Sequence, residues 1–163
     1  MKKVIFGCCA IVALAAFTLA PQAKPEKNEI FKLQVKGADL FAVLSGANEV
    51  DRLGNPGVGD PDGSGTAEIY INQGQGTLTY VITVNGIATA TAAHIHEAPA
   101  NMNGPIVVGI MERIEPPSSG VSSGVVIISK ELAKEIRKNP QDYYVNIHNA
   151  EFKAGAIRGQ LSN

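Results

Sequence analysis

The sequence predicts an all-β fold, an antiparallel β-sandwich with one short helix. Three observations lead there. Short apolar runs, most with period-2 alternation, recur along the chain. Clusters of Gly, Pro, Asn, Asp and Ser separate them. Among 163 residues, Gly 17 and Pro 9 supply the many turns that such a fold needs.

In chain order, the first segment reads as an address. Met1-Lys2-Lys3 is basic, Val4 to Ala16 is continuously apolar, and small residues follow up to Ala23. This is the layout of a signal peptide over residues 1–23, with cleavage expected between Ala20 and Ala23. The run is shorter than the ~20 residues of a spanning helix. Cys8 and Cys9, the only cysteines, lie inside it. Ile5-Phe6-Gly7-Cys8 is similar to a lipoprotein box, but it begins too close to Lys3 for the usual apolar core, so a lipid anchor is not expected. The mature chain would then be exported, periplasmic or secreted, with no cysteine and a core held by packing alone.

Residues 24–38 read as a tether and a first strand at Ile30–Val35, and residues 39–163 as the domain. Its strands are expected at Leu40–Ser45, Thr66–Asn72, Thr77–Val84, Ala92–Glu97, Ile106–Met111, Val125–Ser129, Tyr143–His148 and Ala156–Leu161. Turns are expected at Gly54–Gly57, Asp62–Gly65, Gln73–Gly76, Asn85-Gly86 and Pro116–Gly120. One helix interrupts the strands. Ser129 can cap it, Leu132, Ala133 and Ile136 form an apolar stripe, Arg137 and Lys138 suit its end, and Asn139-Pro140 stops it.

Charge narrows the function. Lys+Arg 14 against Asp+Glu 15 gives −1. Loss of Lys2 and Lys3 with the leader leaves 12 against 15, or −3. No basic surplus exists to neutralise phosphates, which disfavours a nucleic-acid partner. Trp is absent and aromatics are 6%, so stacking platforms for bases or sugars are scarce.

The three histidines are the main chemical signal. His94 and His96 form His-Ile-His, so on a strand they share one face while Ile95 takes the other. Around His148, Val145 and Ile147 belong to the core, so Tyr144, Asn146 and His148 point away from it. In the last strand Ile157 and Leu161 belong to the core, which turns Arg158 and Gln160 outward. If these strands are neighbours, three imidazoles converge, and imidazole suits copper or zinc. Glu97, on the opposite phase, would need a bulge to join them. The carbonyl of Ala93 or a nearby carboxylate could hold the second nitrogen of a ligand histidine. The plainer alternative is three unconnected, hydrogen-bonded histidines.

Asp60, Asp62 and Ser64, with Glu68 and a glycine at Gly65, resemble the opening of a calcium loop. Ile71 stands where the bidentate glutamate belongs, so a tight turn is the favoured reading and calcium is not expected as a cofactor. No Gly-x-Ser-x-Gly, P-loop or dinucleotide fingerprint occurs. Ser118, Ser119, Ser122 and Ser123 read as loop residues rather than nucleophiles. No catalytic residue is assigned.

Four pieces in order resemble the CHRD domain family, known from chordin and from bacterial exported proteins. They are Phe41-Ala-Val-Leu-Ser-Gly-Ala-Asn-Glu-Val50; Gly63-Ser-Gly-Thr-Ala67; Ala92-Ala-His-Ile-His-Glu-Ala-Pro99 with Asn103-Gly-Pro-Ile-Val-Val108; and Tyr144-Val-Asn-Ile-His148 with Gly155-Ala-Ile-Arg-Gly-Gln-Leu161. The resemblance implies an immunoglobulin-like sandwich distantly similar to Cu,Zn superoxide dismutase. It also implies that His94 and His96 match a copper-ligand pair, that His148 stands for another ligand, and that Arg158 stands for an anion-guiding arginine. The dismutases' two-metal site needs more histidines than this chain has, so dismutase activity is not expected.

The functional expectation is a binding module holding a single copper or zinc ion through His94, His96 and His148, with Arg158, Asn146 and Glu97 around it. A non-metal structural or protein-interaction module is the alternative, and a metal-dependent redox enzyme the third reading. The protein or metal partner is not specified by the sequence, and no transmembrane span is expected after signal removal.

Overall fold

The computed structural model describes residues 37–111 and 119–163. The expected signal peptide, the tether and the strand at Ile30–Val35 lie outside the described residues. Within them the chain forms β1 (Leu40–Ser45), β2 (Ser64–Asn72), β3 (Thr77–Asn85), β4 (Ala90–Glu97), β5 (Ile106–Met111), β6 (Ser119–Ile127), α1 (Lys130–Lys138), β7 (Tyr143–Asn149) and β8 (Ile157–Gln160). All pairings between these strands are antiparallel, in the order β5-β4-β7-β8-β1-β2-β3-β6. The two edge strands, β5 and β6, come into contact, so the sheet curls into a nearly closed sandwich.

Alternation explains the inner face. Leu40, Ala42 and Leu44 of β1 meet Ala67, Ile69 and Ile71 of β2 and Leu78, Tyr80 and Ile82 of β3. Ile95, Val145, Ile147 and Ile157 complete the core from the other half of the sheet. The intervening residues of each strand face outward. The short period-2 runs of the sequence are therefore strands with one face committed to this core.

The helix forms as its signals demand. Ser129 Oγ accepts from the Leu132 N–H at 3.0 Å, satisfying one orphan donor of the first turn. Glu131 sits in the first turn and Arg137 and Lys138 in the last, matching the helix dipole. Ala133 and Ile136 close one end of the core. Arg137 pairs with Asp39 at 3.2 Å, and the other Asp39 oxygen accepts from the Ile71 N–H at 2.7 Å. The helix is thereby tied to the entry of β1.

One expectation fails in β6. The strand runs over Ser119–Ile127 instead of starting at Val125, so Ser119, Ser122 and Ser123 are strand residues rather than loop residues, and Ser118 lies outside the described residues. The Ser/Gly-rich composition hid it, because Gly and Ser favour strands weakly. Packing supplies the reason for one glycine. Gly124 pairs with Tyr80, and a Cβ there would lie 2.6 Å from the Tyr80 hydroxyl. No helix among the described residues is long and apolar enough to cross a membrane.

Two substitutions test this account by urea unfolding. Ser129→Ala should cost about 1 kcal/mol through loss of the cap. Leu44→Ala, at a fully buried core position, should cost about 2–5 kcal/mol.

Candidate metal centre

Strands β4 and β7 are neighbours, and their register sets the site. On the outward face His94 lies opposite Asn146 and His96 opposite Tyr144. Asn146 in turn lies opposite Arg158 of β8, and Tyr144 opposite Gln160. His148 follows Asn146 by two residues and shares its face. Beside β5 the register of β4 shifts twice, between Ala93 and His94 and between Ile95 and His96. Such irregularities re-aim side chains at the rim of a sheet.

The three imidazoles meet. One ring nitrogen from each of His94, His96 and His148 lies within 4.8 Å of the other two. The shortest approach is His94 Nδ1 to His148 Nε2, at 3.0 Å. Two nitrogens on a tetrahedral ion at ~2.0–2.1 Å stand about 3.3 Å apart, so small side-chain rotations would bring the trio onto one ion.

Hydrogen bonds settle which nitrogens are free. His96 Nδ1 lies 2.9 Å from the Gly104 carbonyl, and His148 Nδ1 lies 3.1 Å from the Lys153 carbonyl. A carbonyl only accepts, so each Nδ1 carries the proton in the neutral ring and each Nε2 keeps a lone pair. His94 Nδ1–H then donates to His148 Nε2. His96 Nε2 is buried and has no partner at all. The acceptors of His96 and His148 are thus the Gly104 and Lys153 carbonyls, neither Ala93 nor a carboxylate. Gly104 must be glycine, since a Cβ there would fall 1.9 Å from the Glu97 carbonyl.

Electrostatics favour neutral rings. Burial holds His94 down to about 4, helped by His148 and His96 beside it. Burial also lowers His96, against its Gly104 bond and with His148 and Arg158 adding to the drop, and lowers His148 against its Lys153 bond. At neutral pH all three rings are therefore in the neutral form, one N–H and one lone pair each, as metal ligation requires.

The surroundings differ from the outward, open face that alternation implies. Arg158 is 2% exposed, Asn146 2%, Tyr144 1% and His96 9%. The loop between β4 and β5 covers them. Arg158 donates to the Met102 carbonyl at 2.7 Å, to the Pro99 carbonyl at 3.4 Å and to Asn103 Oδ1 at 3.2 Å. Gln160 Nε2 donates to the Ala98 carbonyl at 2.8 Å. Arg158 is therefore a buried loop clamp, not a guanidinium displayed to arriving anions. Asn146 Oδ1 is buried without a partner on the same face as the histidines. Glu97 is exposed on the opposite phase and stands outside the histidine group.

Asp60, Asp62 and Ser64 serve a turn. Asp60 Oδ1 accepts from the Asp62 N–H at 3.2 Å and the Asp60 carbonyl from the Gly63 N–H at 3.1 Å, while Ser64 begins β2. Among the described residues the grouping of potential metal ligands is His94, His96 and His148.

Sequence reasoning missed Glu49, a carboxyl 2% exposed with Oε1 unpartnered. Burial pushes it up to about 7, with Arg158 pulling the other way. The signal for it was its place in an otherwise apolar and small-residue stretch ahead of β2, which does not reveal depth.

A family model described as CHRD domain matches residues 40–161. No curated protein and no solved structure matches the chain.

Glu49 gives a pH test. The unfolded chain ionises near 4.5 but the folded carboxyl near 7, so the folded state binds the extra proton and stability is lost as pH rises through that window. Glu49→Gln does not titrate. Its stability relative to wild type should therefore improve between pH 4.5 and pH 8, read from urea unfolding at each pH. A constant difference would show that the carboxyl ionises normally.

Proposed function

The chain belongs to the CHRD domain family, and from that premise we propose that it is an exported β-sandwich module that holds one copper or zinc ion through His94, His96 and His148. The observation that carries this reading is the unpaired Nε2 of His96. A buried acceptor without a partner is costly, and His96 belongs to a group in which one ring nitrogen from each of three histidines lies within 4.8 Å of the others. A cation at the common point would satisfy it. His94 needs only to move its proton to Nε2 to present Nδ1, since the other two tautomers are already held by carbonyls. Asn146 Oδ1, also unpaired and on the same strand face, would be an acceptor for a solvent ligand on that ion. Export rests on the leader pattern of residues 1–23.

A structural alternative has its own support in the bonds of His96 and His148 to Gly104 and Lys153, which tie two loops to the sheet. In that alternative the imidazoles lock loops and no ion is needed. A redox-enzyme reading loses its anion guide, because Arg158 is spent on the loop.

Dialysis against Zn(II) or Cu(II) followed by elemental analysis should give close to one ion per chain. His94→Ala combined with His96→Ala should reduce it to background. A wild-type ratio near zero, or one unchanged in the double variant, removes the metal reading. His148→Ala should lower Tm far more in the presence of Zn(II) than in its absence; an equal drop in both supports the structural alternative.

A further inference from the structure

We propose that Tyr144 is the positioning residue of the metal centre and that it links metal occupancy to the order of the loop Ala98–Pro105. The proposal rests on the metal reading above. Its geometry is a stack of three groups. The Tyr144 ring lies parallel to the His96 ring, 8° between planes and 4.7 Å between centroids. On Tyr144 also lies the Arg158 guanidinium, its Cζ 3.4 Å from the ring centroid. Arg158 holds the loop through Pro99, Met102 and Asn103. His96 holds the same loop through Gly104, whose N–H points to the Tyr144 hydroxyl at 3.4 Å.

One imidazole therefore has three restraints: the ring beneath it, the loop carbonyl at Nδ1, and the ion that Nε2 would take. An ion on Nε2 draws electron density from the ring and strengthens the Nδ1–H donor, which tightens the bond to Gly104. Because the stack and the loop share Arg158, loosening any one loosens the others. The loop does not end there. Asn103 Nδ2 donates to the carbonyls of Val50 at 3.2 Å and Asp51 at 3.0 Å, so the β1–β2 connection joins the same assembly. By linkage, if the ion orders the loop, an ordered loop must raise affinity for the ion by the same factor.

Hydrogen exchange of the full domain, with and without saturating Zn(II), tests this together with Zn(II) affinity measured by competition with a chromophoric chelator. In wild type, Zn(II) should slow amide exchange across residues 99–104 at least several-fold. Tyr144→Leu should weaken Zn(II) binding by about 10- to 100-fold and abolish most of that protection. Tyr144→Phe keeps the ring and should restore both. Wild-type protein that binds one Zn(II) with exchange in 99–104 unchanged overturns the link while leaving the metal reading intact. Tyr144→Leu or Tyr144→Phe behaving alike overturns the positioning role. Wild-type protein that binds no Zn(II) overturns both readings.

Discussion

The buried guanidinium of Arg158 is the constraint on which the rest of the site depends. A cation at this depth is stable only if its donors are satisfied. It finds oxygens on Pro99, Met102 and Asn103 and the face of Tyr144. Those contacts pull the β4–β5 loop over the outward face of β4, β7 and β8. The face that alternation marks as solvent-facing thereby becomes a second interior. His96 and Asn146 are buried by that cover, and their unpaired atoms follow from it.

Much of the fold was legible because local rules agree with one another. The helix carries a cap, a stripe, a dipole match and a stop, and each is used. Strands β1 and β5 fall on the expected residues because each is a short apolar run bounded by polar or turn residues, LFAVLS and IVVGIM. Strand β6 was half hidden, since Gly124 is present for the sake of Tyr80, a residue more than 40 positions away in sequence. A glycine kept for a distant partner looks like a turn residue when only its neighbours are read.

The site was legible as a direction and illegible as an environment. Period 2 places His94, His96, His148 and Arg158 on one face, and the β4–β7 pairing brings the three histidines together. It cannot report what covers that face. Burial of Arg158 depends on carbonyls of a loop, and backbone oxygens carry no sequence signature. The same holds for Gly104 and Lys153, whose carbonyls fix two tautomers. Only the glycine at 104 leaves a trace, because a side chain would collide with the Glu97 carbonyl. Glu49 was missed for a related reason. A glutamate between Asn48 and Val50, just ahead of Asp51 and Arg52, looks like loop surface until the chain folds over it.

Charge bears on which ion the proposed centre would take. Three neutral imidazoles bring no negative charge, and Arg158 already contributes a positive one nearby, as its lowering effect on His96 records. A divalent ion there would leave a half-buried patch with an excess of positive charge. Glu49 is the buried acid near Arg158, but burial raises it to about 7, so at neutral pH it is partly protonated and offsets less than one unit. The remaining excess favours an anionic fourth ligand from solvent, or an ion of lower charge. Copper in its singly charged state is compatible with three neutral nitrogens and no fourth ligand, whereas zinc, which prefers four ligands, needs the position beside Asn146 filled.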